Sequence, residues 1–144
     1  MVTASIEAIF LSTPSSTYLA DGRPAYVARE LPKPADAIAW IRAAGGVAVL
    51  AHPTWAKVSG EGLHTLLTTL KAEGLGGIEV HYSTHTKRQT TEYLDLAKRL
   101  TLLVTGGSDF HGMTKPDIEV GMGRGDLKVP ERLLNPLKEA AAQA

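Results

Sequence analysis

Three short β-rich runs, each delivered by an amphipathic helical stretch, constrain this chain more than any other feature. They lie near 47–51, 77–81 and 102–106. The first, Val47-Ala48-Val49-Leu50-Ala51, is continuously apolar, which suits a strand buried on both faces of a parallel sheet. Pro34 is pre-set for helix entry, Ala37, Ile41 and Ala44 recur at helical spacing beside Ile38, and Gly45-Gly46 supplies a stop. Leu63, Leu66, Leu67 and Leu70 form a second helical stripe, closed by Gly74. Tyr93, Leu96, Ala97 and Leu100 form a third, and Thr86-Lys87-Arg88-Gln89 before it has the form of a capping box. Strands alternating with helices of this length mean βαβ units, hence an α/β fold with parallel strands.

The two ends of the chain read differently. A last helix is expected from about Pro130, broken or kinked at Pro136. Residues 1–33 lack the alternation. Ser12-Thr13-Pro14-Ser15-Ser16 is loop-like and Asp21-Gly22-Arg23-Pro24 reads as a turn. Loose packing is expected there, with Ile6, Phe10, Leu11 and Leu19 partly exposed.

Composition narrows the function classes. The 144 residues amount to one domain's worth of chain. Fifteen Lys and Arg balance fifteen Asp and Glu, which argues against a broad basic nucleic-acid platform. Cysteine is absent, so a disulfide scaffold, a Cys-zinc site and a thiol nucleophile are excluded within this chain. No secretory leader or membrane-length apolar run is visible, and a cytoplasmic protein is the expectation.

The polar residues fall at meaningful places. His52 directly follows the first run. Glu79 and His81 end the second, with His85 just beyond. Asp109 and His111 follow the third through Gly106-Gly107-Ser108. All lie at the carboxyl ends of strands, the face where parallel α/β folds build their active sites. In an extended Asp109-Phe110-His111 segment the carboxylate and imidazole would face one centre while Phe110 points back into the protein. Asp with His suits Zn, Mn or Fe better than Mg. His64 lies on the leucine stripe's helix, with no comparable support. Gly121-Met122-Gly123-Arg124-Gly125 is no P-loop, because no Gly-Lys-Ser/Thr closes it. Arg124 nevertheless follows the Asp109–His111 segment and is a candidate phosphate contact, as are Lys57, Lys87, Arg88 and Lys115.

Three motifs together carry a resemblance. Gly45-Gly46-Val47-Ala48-Val49-Leu50-Ala51-His52-Pro53, Gly77-Ile78-Glu79-Val80 with His85, and Thr105-Gly106-Gly107-Ser108-Asp109-Phe110-His111-Gly112 resemble the PHP (polymerase and histidinol phosphatase) family. The resemblance implies that residues 34–144 are the C-terminal part of a distorted (β/α)7 barrel. It also implies that residues 1–33 are the remnant of an inserted helical subdomain and linker, with Leu19-Ala20-Asp21-Gly22-Arg23-Pro24-Ala25-Tyr26-Val27 as its exit. The chemistry implied is metal-dependent hydrolysis of phosphate esters, of nucleoside 3′,5′-bisphosphates or short oligonucleotides, with Mn, Zn or Fe. His52, Asp109 and His111 are then metal ligands, His85 serves the substrate phosphate or a metal-bound water, and Glu79 orients a neighbour.

The family also opens with a His-x-His on its first strand. This chain has none, and its first histidine is His52. The resemblance therefore covers a C-terminal half. A different class of reading follows from that: a non-catalytic half-domain, completed by a missing segment or a partner chain through its free sheet edges.

Overall fold

The computed structural model describes residues 15–19, 22–28 and 31–143. The chain divides into two compact units, one of Met1–Leu31 with His111–Pro116, the other of Pro32–Phe110 with Asp117–Ala144.

The larger unit carries the α/β pattern. Its elements are α1 (Pro34–Ala43), β1 (Val49–Leu50), α2 (Glu61–Ala72), β2 (Gly77–Tyr82), α3 (Lys87–Arg99), β3 (Leu103–Gly107) and α4 (Leu134–Ala141). Among the described residues the sheet has three strands in the order β1-β2-β3, and both pairings are parallel. Val49 pairs with Gly77, and Gly77 with Leu103. The first strand is shorter than its apolar run suggested, because only Val49 and Leu50 join the ladder.

Helices α1, α2 and α3 stop in the same way, and the stop launches the next strand. The amide of Gly46 donates to the Ile41 carbonyl and that of Gly45 to Arg42, both at 2.9 Å. Leu75 to Leu70 and Gly74 to Lys71 repeat the pair after α2, and Leu102 to Ala97 and Thr101 to Lys98 repeat it after α3. This is the Schellman arrangement, which requires a left-handed residue just past the helix. Gly45 and Gly74 take that position at φ 76° and 104° without a Cβ to clash, whereas Thr101 is forced into it at φ 51°. At the other end of α3, Thr86 and Gln89 form the expected capping box.

The core lies between the sheet and the helices. Leu63 and Leu67 of α2 and Ile78 and Val80 of β2 are fully buried. Tyr93, Leu96 and Ala97 of α3 join them, with Ile38 of α1. The leucine and Tyr93 stripes thus face inward as their spacing requires. Pro136 does not break the last helix. That helix begins at Leu134, after a 3-10 turn at Glu131–Leu133, so Pro136 sits in a first turn whose amides have no intrahelical partner anyway.

In the smaller unit, Ser15–Leu19 forms a single π-helical turn, and the amide of Ala25 donates to the Tyr18 carbonyl at 3.0 Å. Tyr18, Leu19, Tyr26 and Val27 are exposed. Ile6, Phe10 and Leu11 lie outside the described residues.

Candidate active site

Two residues at the carboxyl end of the sheet meet. His52 follows β1 in a left-handed conformation, φ 42° and ψ 57°. Its amide donates to Oε2 of Glu79 on β2 at 2.9 Å, so the carboxylate pins the turn that aims the imidazole. Buried Pro53 then opens a 3-10 turn, Pro53–Ala56. The imidazole Nε2 lies 3.7 Å from Oδ1 of Asp109.

Asp109 is held from several directions. Tyr82, the last residue of β2, donates its hydroxyl to Oδ2 at 2.8 Å. Burial, then the hydrogen bond to Asp109, pushes the Tyr82 phenol up to about 12, so it remains a protonated donor at neutral pH. The Ser83 hydroxyl donates to the Ser108 carbonyl at 2.6 Å, and the Gly121 amide donates to the Ser108 hydroxyl at 3.3 Å. These contacts fix the residue before Asp109 and hold Asp109 itself at φ 58°.

That left-handed turn corrects one expectation. Asp109-Phe110-His111 is not one extended segment, because Asp109 is left-handed. Phe110 is 49 % exposed rather than turned into the protein. His111 belongs to the smaller unit, where its carbonyl accepts from the Thr114 hydroxyl at 2.7 Å. Among the described residues no group of three His, Asp or Glu assembles into a metal cluster. The larger unit brings together His52 and Asp109.

His85 is placed by its own hydrogen bond. Its Nδ1 lies 2.8 Å from the Val80 carbonyl, and a carbonyl accepts only, so Nδ1 carries the proton. The other nitrogen, Nε2, is buried and has no hydrogen-bond partner. Its ring stands between Tyr82 and Tyr93, with centroids at 5.1 and 5.0 Å. An open cleft of about 380 Å³ runs beside it, with Lys87, Lys128, Ser83 and His81 on its walls. Burial, then the charge of Arg132 and the neighbouring His85, holds the His81 imidazole below its ordinary 6.5. Arg124 is engaged elsewhere, in an exposed ion pair with Asp117 at 2.9 Å. His64 pairs with Glu61 at 3.6 Å on α2.

The donors of the larger unit fit a divalent cation. Two ligands ~2.1 Å from a tetrahedral ion stand ~3.4 Å apart, close to the separation of His52 Nε2 and Asp109 Oδ1. The Nε2 of His85 is a further buried nitrogen without a hydrogen-bond partner. Tyr82 and the Ser83–Ser108 brace did not stand out in the sequence. A register shift between Glu79 and His81 adds a residue to β2 there and changes which side chains after it reach the site.

No family model matches the chain. Known proteins do. It is 35 % identical over 104 residues to the 3′,5′-nucleoside bisphosphate phosphatase of Chromobacterium violaceum, covering 72 % of this chain and 36 % of that protein. It is 37 % identical over 94 residues to a 5′-3′ exoribonuclease of Haemophilus influenzae, covering 65 % and 34 %. A phosphoribosyl 1,2-cyclic phosphate 1,2-diphosphodiesterase of Eggerthella lenta is 42 % identical over 77 residues, covering 54 % and 28 %. In three dimensions an amidohydrolase of C. violaceum with bound sulfate superposes at a TM-score of 0.66 and 27 % identity, over 94 % of this chain and 49 % of that one. A structure described as a metal-dependent phosphoesterase, from Bifidobacterium adolescentis, gives 0.65 and 28 %, over 96 % and 47 %.

These relatives are consistent with the PHP family that the three motifs resemble. The chain spans about a third of the length of the curated relatives and about half of the solved ones. The PHP motifs named from the sequence fall where the structure places them, at the carboxyl ends of β1, β2 and β3. Among the described residues no helix is long and apolar enough to cross a membrane.

Proposed function

We propose that this chain supplies the C-terminal part of a PHP barrel that hydrolyses phosphate esters with the help of divalent metal ions. Residues 34–144 are then barrel, and residues 1–33 the remnant of an inserted helical subdomain. The observation that carries the reading is the His52–Asp109 pair, 3.7 Å apart at the strand ends and braced by Glu79 and Tyr82.

In this reading His52, Asp109 and His111 hold metal, with the remaining ligands coming from the other part of the barrel. Bound ions of Mn, Zn or Fe supply an activated water and neutralise charge on the phosphoryl and leaving oxygens. The chain's residues do the positioning. Glu79 fixes the His52 turn through its amide. Tyr82 keeps its proton on the phenol oxygen and directs it at Oδ2 of Asp109, which leaves Oδ1 on the side of His52. His85, its ring oriented by the Nδ1 contact to the Val80 carbonyl, serves the substrate phosphate or a metal-bound water. Lys87 and Lys128, on the wall of the adjoining cleft, offer charge to an anionic substrate. Arg124 remains a candidate contact once released from Asp117.

The named activities of the relatives suggest two substrate classes. One bears a base, as a nucleoside 3′,5′-bisphosphate or a short oligonucleotide. The other is a phosphoribosyl ester without one. The base-bearing class is the better supported, through the 35 % and 37 % identical relatives that cover most of this chain. The alternative is a non-catalytic half-domain completed by a missing segment or a partner chain.

The experiment is phosphate release from adenosine 3′,5′-bisphosphate in the presence of Mn²⁺, on the protein carrying the complete barrel. Asp109→Ala and His111→Ala abolish turnover there while leaving the fold intact. A fully active Asp109→Ala protein removes Asp109 from the site. Robust turnover by the 144-residue chain alone overturns the half-domain reading.

A further inference from the structure

Trp55 is an unusual occupant of the turn that follows His52. The turn is rigid: Pro53 is fully buried beneath it, the Trp55 amide donates to the His52 carbonyl at 2.8 Å, and left-handed residues, His52 and Lys57, bound it on both sides. Yet the indole is 66 % exposed. Its ring centroid lies 5.2 Å from that of His52 at a tilt of 37°, and His52 in turn meets Asp109. A large flat apolar face is therefore held at the mouth of a polar site instead of being buried in the core. Such a face offers every nucleobase a stacking partner and offers a bare sugar phosphate little.

We propose that Trp55 is a stacking platform that selects base-bearing phosphate esters over base-free ones at the His52–Asp109 site. The proposal rests on the phosphoesterase reading and adds the part of the substrate that the polar residues do not distinguish. The phosphate is drawn to the lysines and to the cation that His52 and Asp109 would hold, and the base lies on the indole. The base contributes affinity but takes no part in the bond that breaks, so Trp55 is a specificity residue rather than a catalytic one.

The chain has two tryptophans, so Trp40→Phe leaves Trp55 as its single fluorophore. Trp40 is exposed on α1, away from the core, so the background variant disturbs little. Adenosine 5′-monophosphate and ribose 5-phosphate, which carry the same single phosphate, are titrated into this background with Mn²⁺ present, read by indole fluorescence and by calorimetry. The nucleotide quenches Trp55 and binds about tenfold or more tightly than the sugar phosphate. Trp55→Ala lowers nucleotide affinity to that of ribose 5-phosphate and leaves ribose 5-phosphate binding unchanged, while Trp55→Phe retains most of the preference. Equal affinity for the two ligands in the parent, or an equal loss for both in Trp55→Ala, overturns the platform and spares the phosphate site. Binding of neither ligand also overturns the platform, whereas the phosphoesterase reading stands or falls on phosphate release by the protein carrying the complete barrel.

Discussion

The Tyr82 hydroxyl donates to Oδ2 of Asp109 at 2.8 Å, while Oδ1 of the same carboxylate stands 3.7 Å from His52 Nε2. One oxygen is thus fixed by the protein and the other is left toward the imidazole. A carboxylate oriented this way is prepared to ligate through a single oxygen, because rotating it would break the phenol bond. Replacing Tyr82 with Phe keeps the ring and its packing against His52 but removes the donor. Mn²⁺ affinity should fall about tenfold or more, the usual cost of losing an outer hydrogen bond to a ligand, with the circular dichroism spectrum unchanged. Unchanged affinity would deprive Tyr82 of this role.

Glu79 has a structural duty that can be separated from its charge. It accepts the amide of His52, whose backbone is left-handed at that point. Glu79→Ala should cost about 1–3 kcal/mol of stability in urea unfolding, because a part-buried donor loses its partner. Glu79→Gln retains an acceptor and should cost clearly less. Equal losses would show that charge, not the hydrogen bond, is what matters.

Thr101 stands where α1 and α2 each use glycine, at φ 51° past the end of α3. A β-branched residue is poorly suited to that region. Thr101→Gly should raise stability by about 1 kcal/mol, in contrast to the usual destabilising effect of glycine. A loss of stability would mean that the hydroxyl or methyl makes a compensating contact.

Gly106 is required by close approach. A Cβ there would lie 2.6 Å from the His81 carbonyl oxygen and 2.6 Å from the His81 Cβ, both part of the neighbouring strand. Gly106→Ala should therefore cost about 1–3 kcal/mol, measured by chemical unfolding, as β2 and β3 are pushed apart. A neutral substitution would show that the strand ends yield freely.

His81 gives the fold a pH dependence with a definite sign. Burial, then Arg132 and His85, places its folded-state value below 6.5, so folding favours the neutral ring. As pH falls through 6.5, the unfolded chain takes up the proton first, and stability drops until the folded-state value is passed. His81→Gln should flatten the stability profile between about pH 7 and pH 5. A slope unchanged by the substitution would assign the effect to another group.

The α/β alternation was written plainly in the sequence because it depends on local periodicity and helix stops. The Leu63–Leu70 stripe and the Thr86–Gln89 capping box could each be read from spacing alone. The strand ends also marked His52, Glu79 and Asp109, since a parallel sheet gathers its carboxyl ends on one side whatever the details. What spacing could not carry was the backbone geometry at those ends. The register shift near Val80 brings Tyr82 to Asp109, and the left-handed turn at Asp109 leaves Phe110 half exposed. Both depend on tertiary braces such as Ser83 to Ser108, which join residues 25 apart in the chain. Trp55 was invisible for the opposite reason. An aromatic after a strand reads as core until its exposure is known.

The most direct test of the central claim is a calorimetric titration of Mn²⁺ and of Zn²⁺ into the 144-residue chain and into its His52→Ala, Asp109→Ala and His64→Ala forms. The account predicts weak binding of one ion, lost in His52→Ala and Asp109→Ala and retained in His64→Ala. Binding that survives in both His52→Ala and Asp109→Ala would contradict it, because the pair at the strand ends would then hold no metal.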